Sequence, residues 1–254
     1  MQYQYLLFFG KSITSRMYLF DPRKSCFLLF VLVTFIGACG PAFPDDWLNP
    51  PKYGSYSQAA VHYFLEIGLG SEFGDPTNVT VKKWASEIRI QIHGNYNQSD
   101  ENELESIISE LSELTSLSIK RVTSNANINI YFAKQTDFKR YIPQYNTSNP
   151  QNGVFATLYQ GDHITEATIC IEDHLVPPQR HHLLREELTQ TMGLQKDSYS
   201  YQNSVFQQSP DHTPTEYSQI DKEVIRILYD KKIKPGMSKT EIENTLITTQ
   251  IASN

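Results

Sequence analysis

The chain has 254 residues, 39% of them hydrophobic, enough to bury the core of one domain of ordinary size. With 22 Lys and Arg against 28 Asp and Glu, its formal charge of -6 at pH 7 leaves no cationic surplus for a phosphate backbone and argues against a general nucleic-acid binder. Twelve Gly, 13 Pro and three Cys exclude collagen-like, low-complexity and disulfide-scaffold classes.

Arg23 and Lys24 precede an uncharged apolar run from Cys26 to Ala38, which closes on small residues and then Cys39-Gly40. A basic start, an apolar stretch and small residues before a cleavage point are the parts of an export signal. The run is about 13 residues where a bilayer-spanning helix takes roughly 20, so the expectation for residues 1–38 is a cleaved signal and not a permanent span. Ile36-Gly37-Ala38-Cys39 resembles the bacterial lipobox, which implies that Cys39 is acylated and becomes the new N-terminus; the alternative is a simple secretory signal with an incidental cysteine. Residues 1–16 carry no signal-like pattern, and Met17 stands at a suitable distance before Arg23 to be the true start. Cleavage before Cys39 removes Lys11, Arg16, Arg23, Lys24 and Asp21, leaving 216 residues with 18 basic and 27 acidic side chains, a charge of -9. Cys170 is then the only other thiol, so no internal disulfide forms, and within Ala167-Thr-Ile-Cys-Ile171 it reads as a small packed hydrophobe. Gly40, where an Asp would signal inner-membrane retention, favours the outer membrane.

Residues 39–56 are rich in Pro and Gly and suit a tether, followed by a single domain over 57–254. Ser57 to Leu69 has helical apolar spacing, and Glu87 to His93 alternates with period two as a half-buried strand does. Ser99 and Asp100 offer caps to a helix with Leu104, Ile107, Ile108, Leu111 and Leu114 on one face. Strands are predicted at Leu117–Val122, Ala126–Phe132, Gly153–Tyr159 and Thr165–Ile171, then a helix from Pro177 through Leu194 ended by Gly193, and further helices at Gln219–Tyr229 and Lys239–Thr249. Strand, helix, four strands and C-terminal helices make an α+β fold with a mixed sheet backed by helices. The same order occurs in the metzincin-like half of zinc peptidases.

Arg185-Glu-Glu-Leu-Thr-Gln-Thr-Met-Gly-Leu-Gln-Lys-Asp197 resembles the zincin helix HExxHxxGxxHD, with Glu187 at the catalytic glutamate, Gly193 at the glycine and Asp197 at the trailing aspartate. The three ligand histidines then correspond to Glu186, Gln190 and Lys196, and Phe206 stands where these families place a methionine. Asp221 to Tyr229 looks like the closing helix of matrixins. Over roughly 85–237 the pattern resembles more closely an uncharacterised family of bacterial lipoproteins, through Arg185-Glu-Glu-Leu-Thr-Gln190, Gly193-Leu194, Asp197-Ser198, Ser204-Val-Phe206, Leu228-Tyr229 and Pro235-Gly-Met237. The resemblance implies a zincin-like domain with a degenerate active-site helix.

Zn²⁺ prefers imidazole and thiolate, so a cation at Lys196, a weak amide at Gln190 and a carboxylate at Glu186 make a poor zinc set. His182, Glu186 and Gln190 share one helix face at spacings of four and could hold a divalent metal in a non-standard way, but a solvated polar stripe beside the cationic helix start of Arg180, His181 and Arg185 is the favoured reading. His62, His93, His163, His174 and His212 read as isolated surface or core histidines. Glu187 follows Leu183 and Leu184, so its carboxylate is expected at the border of the apolar face, as a general base in an active enzyme or a buried structural acceptor otherwise. The expectation is a lipid-anchored envelope protein that has lost catalytic zinc, needs no cofactor, and binds an envelope protein or peptide. The alternatives are a divergent metal-dependent hydrolase with Glu187 as base and Glu186 as ligand, and a purely structural partner in a transport or secretion complex.

Overall fold

Alternation at Ile88, Ile90 and Ile92 against Arg89, Gln91 and His93 makes one strand with an apolar face, and the same logic at Ile128, Ile130 and Phe132 makes its neighbour. The computed structural model describes residues 5–9, 53–69, 79–209 and 213–247; of the expected signal all but 5–9, with Cys39, His212 and most of the tether, lies outside the described residues.

In chain order the elements are β1 (Tyr5–Phe9), α1 (Gln58–Gly68), β2 (Lys83–Trp84), β3 (Ile88–Gly94), α2 (Gln98–Thr115), β4 (Ile119–Arg121), β5 (Ile128–Ala133), a 3-10 turn (Gln135–Asp137) leading into α3 (Phe138–Tyr141), β6 (Gly153–Gln160), β7 (His163–Glu172), α4 (Pro177–Gln190), α5 (Gln219–Tyr229) and α6 (Lys239–Leu246). The strands form one mixed sheet in the order β1-β6-β7-β5-β3-β4, with the short β2 joining β7 off that path. β4, β3, β5 and β7 run parallel, β6 antiparallel to β7 and β1 antiparallel to β6. The register sets Ile92, Ile130, Ile169 and Phe155 side by side across four strands. The core gathers on this row, together with Leu104, Ile107 and Leu111 of α2 and Leu184 and Leu188 of α4. On the opposite face Val154 and Cys170 pack under Phe138, Ile142 and Tyr145, so the thiol behaves as a small hydrophobe, and burial, then the charge of Glu187, pushes its pKa up.

Several boundaries move for local reasons. The N-cap of α2 is Asn97, whose side chain accepts from the backbone of Ser99 and Asp100 while Asp100 reaches back to the cap, a closed capping box in place of the expected caps at Ser99 and Asp100. α4 stops at Gln190, because the chain turns at Thr191 and reaches Gly193 with φ +118. A Cβ at Gly193 would stand 2.0 Å from the Lys82 carbonyl, so only glycine lets the turn pass beside β2. Tyr53 is buried and Tyr56 donates to Asp230 at 2.8 Å, so the last residues of the expected tether belong to the folded domain. β1, β2 and α3 were not predicted; β2 is two residues long and has no period to read. Among the described residues no helix is long and apolar enough to cross a membrane.

Candidate functional site

α4 begins on Pro177 and Pro178, whose fixed φ suits the first helical turn and whose missing N–H groups cost nothing there. A helix this polar would ordinarily leave one face in water, yet from Arg180 to Gln190 every residue but His181 is buried. Buried charges need partners, and α2 supplies them. Arg180 pairs with Asp100, donates to the Asp173 carbonyl at 2.9 Å and lies over the Phe132 ring at 4.9 Å. Arg185 donates through Nε and Nη2 to Glu103 Oε1 at 3.1 and 2.8 Å, and through Nη1 to Glu110 Oε1 at 2.8 Å, with its guanidinium over the Tyr217 ring at 4.6 Å. The expected cationic, solvated helix start is therefore corrected: both arginines are internal staples between α4 and α2.

The stripe of His182, Glu186 and Gln190 is buried as well, against the expectation of a solvated face, because the segment before α5 closes over it. His182 Nδ1 lies 2.8 Å from the Pro214 carbonyl, which can only accept, so Nδ1 carries hydrogen. Nε2 then stands 3.2 Å from Glu186 Oε2, but this nitrogen and both Glu186 oxygens are buried without a hydrogen-bond partner. Gln190 does not join them: its Nε2 donates to Asp197 Oδ1 at 2.6 Å. Of the three expected ligands the structure brings together two.

Glu187 turns toward β6. It is buried, and a Cβ at Gly153 would come within 2.5 Å of Glu187 Oε1 and 2.9 Å of Leu183 Cδ2, so the missing side chain at the start of β6 is the space that the carboxylate fills. This is the position at the border of the apolar layer that Leu183 and Leu184 implied. Phe206 is fully buried and packs edge-on to Tyr63 at 6.5 Å, a hydrophobic plug where the zincin resemblance expects methionine.

The resemblance implies a zinc ion at Glu186, Gln190 and Lys196, and the donors do not fit one. Glu186 is the one good donor of the three, the Gln190 amide is spent on Asp197, and Lys196 is a cation. A cleft of about 410 Å³ lined by Gln58, His62, Tyr63, Glu66, Ser200 and Tyr201 shares no residue with this set.

Two arrangements escaped the sequence reading. Asp221 accepts from Ser204 Oγ at 2.6 Å, Ser218 Oγ at 2.7 Å and the Val205 N–H at 3.2 Å, which locks the chain before α5; the Ser218 to Asp221 capping-box spacing was its available signal. His174, read as isolated, stands against Glu172 and Asp173, and three successive ligand-type residues at a strand end were the signal for it.

Residues 57–248 match the family described as "Protein of unknown function (DUF2927)", and the chain belongs to that family. No curated protein matches it significantly. Among solved structures it is similar to two of myroilysin. One is 11% identical, with 59% of this chain and 86% of that chain covered at a TM-score of 0.39; the other is 12% identical, with 71% and 98% covered at 0.36. At these scores the fold stands on the chain's own element order and strand pairings.

Proposed function

We infer that this member of the DUF2927 family is a lipid-anchored envelope protein whose zincin-like domain works by binding or assembly and not by metal-dependent hydrolysis. The observation that carries the reading is the closure of α4: the His182 and Glu186 side chains are only 3% and 2% exposed, 3.2 Å apart, and Gln190 is spent on Asp197. Hydrolysis of a peptide in the zincin manner needs a metal with an open position for water beside a general base, and the base alone supplies too little of the barrier reduction. The zincin-like assignment is supported by the order β3, α2, four strands, α4, and by Glu187, Gly193 and Asp197 at their matching positions. The lipid anchor is supported by Arg23, Lys24 and the Ile36 to Cys39 tetrad. The binding partner is an envelope protein or peptide; the acidic surface charge gives nucleic acid no purchase.

The test is a hydrolytic assay on peptide mixtures with full-length protein in detergent, beside Glu187→Gln and a chelator-treated sample. All three should stay at background. Turnover in the wild type that both the chelator and Glu187→Gln abolish would establish the divergent hydrolase instead.

A further inference from the structure

Away from the α4 pair, the end of β7 gathers three ligand-bearing residues. Glu172, Asp173 and His174 follow one another there, and one oxygen of each carboxylate and a nitrogen of the imidazole lie within 4.8 Å of one another. Glu172 Oε1 stands 3.1 Å from His174 Nδ1, and Asp173 Oδ1 touches the same nitrogen. One imidazole nitrogen carries either one hydrogen or one lone pair, so it can satisfy one of these oxygens and not both. Asp173 Oδ1 is buried without a hydrogen-bond partner, on a side chain only 9% exposed, and it points into the cluster.

The far oxygens are held from behind. Glu172 Oε2 accepts the Gln135 N–H at 2.7 Å, and Asp173 Oδ2 accepts from Asn95 Nδ2 at 3.4 Å. These contacts aim Oε1 and Oδ1 at one point, as outer partners orient the ligands of a metal. Arg180, whose guanidinium donates to the Asp173 carbonyl, is paired with Asp100 and leaves the side chains of the trio their own negative charge.

We propose that Glu172, Asp173 and His174 form a divalent transition-metal site of the zinc class, with Glu172 Oε1, Asp173 Oδ1 and His174 Nδ1 as the protein ligands. An imidazole in the set selects zinc over calcium or magnesium, which want six or more oxygens. His174 is 67% exposed, so the remaining coordination position opens to water or to a ligand side chain of a bound partner. The metal neutralises two adjacent carboxylates and ties the end of β7 to the 3-10 turn through Gln135 and to the end of β3 through Asn95, just ahead of α4.

The experiment is zinc titration of the chelator-stripped full-length protein in detergent, read by calorimetry and by the thermal unfolding midpoint. One zinc per chain and a raised midpoint are expected. His174→Ala and Asp173→Asn should each weaken binding by roughly tenfold or more, while Glu186→Gln binds zinc as the wild type does and calcium leaves the midpoint unmoved. The exposed position of His174 keeps its variant folded, which circular dichroism checks. No saturable zinc, or zinc that survives His174→Ala, overturns the proposal. Zinc lost with Glu186→Gln and kept with His174→Ala overturns it too, and counts separately against the closed reading of α4.

Discussion

Arg185→Met isolates what the buried staple contributes. Methionine keeps most of the aliphatic volume and a surface to pack on Tyr217, but deletes three hydrogen bonds to Glu103 and Glu110. Removing one partner of a buried ion pair costs about 3–5 kcal/mol, because the remaining charge stays desolvated. Here the acceptors sit nearer the surface than the guanidinium, at 15% and 32% exposed against 2%, and Glu110 can turn into water once released. The lower end applies, about 3 kcal/mol. For a domain of this size 1 kcal/mol moves the unfolding midpoint by roughly 2–4 °C, so the variant should melt about 6–12 °C below the wild type. Glu103→Gln in the Arg185→Met background should cost less than it does alone, since its partner is already gone, with a coupling of about 1 kcal/mol or more. Chemical denaturation of the four proteins measures both quantities. If Arg185→Met lies within about 1 kcal/mol of the wild type and the cycle shows no coupling, the contacts between α4 and α2 do not hold the helix in place and the argument from burial fails.

Gly153→Ala should destabilise by about 1–3 kcal/mol by overpacking, and the loss should shrink in Gly153→Ala with Glu187→Ala, because the added methyl would stand 2.5 Å from Glu187 Oε1. Glu187→Gln keeps the shape that fills the space beside Gly153 and should be milder than Glu187→Ala, which empties it; equal losses in denaturation would count against a structural carboxylate. Burial, and secondarily the charge of Lys234, lowers the Lys83 pKa to about 8, while its Nζ donates to the Leu228 and Ile233 carbonyls. Above that pH the unfolded chain holds a proton that the folded chain has shed, so the contribution of Lys83 to stability rises with pH through this window. Urea unfolding from about pH 7 to about 9.5 should show the wild type gaining on Lys83→Met, and a constant difference would refute it. Cys39→Ser should move the protein from the membrane to the soluble fraction and remove any lipid adduct; unchanged partitioning without an adduct in the wild type defeats the anchor.

What could be read in the chain was whatever a single period carries. The alternation of Ile88, Ile90 and Ile92, the three-four spacing of Leu104 to Leu114, and the run Gln219–Tyr229 place β3, α2 and α5 because each buries one face and wets the other. β2 was invisible because two residues, Lys83 and Trp84, have no period; the Trp84 indole is placed by its bond to the Thr191 carbonyl, 107 residues away. The pairing of β7 with both β5 and β6 is likewise a long-range fact that no local pattern states.

α4 failed the same rule more instructively. Arg-His-His-Leu-Leu-Arg-Glu-Glu reads as a helix with a wet polar side, and it is buried on that side because the matching charges lie on α2, 75 to 82 residues earlier in the chain. Periodicity measures apolar spacing and is silent on whether a charge has a distant partner. That silence bears on function, since a helix that does chemistry must keep some polar groups at a water-reached surface, whereas one that is part of the core must pair every one of them. Arg180, Arg185 and Gln190 are each paired within the protein, and His182 is held through Nδ1 by the Pro214 carbonyl, whereas His182 Nε2 and Glu186 face each other, buried, without a hydrogen bond. The polar side of α4 is thus largely what fastens the helix, Arg180 and Arg185 to α2, His182 to the Pro214 carbonyl and Gln190 to Asp197, and a change that freed Gln190 for a metal would first have to break its bond to Asp197.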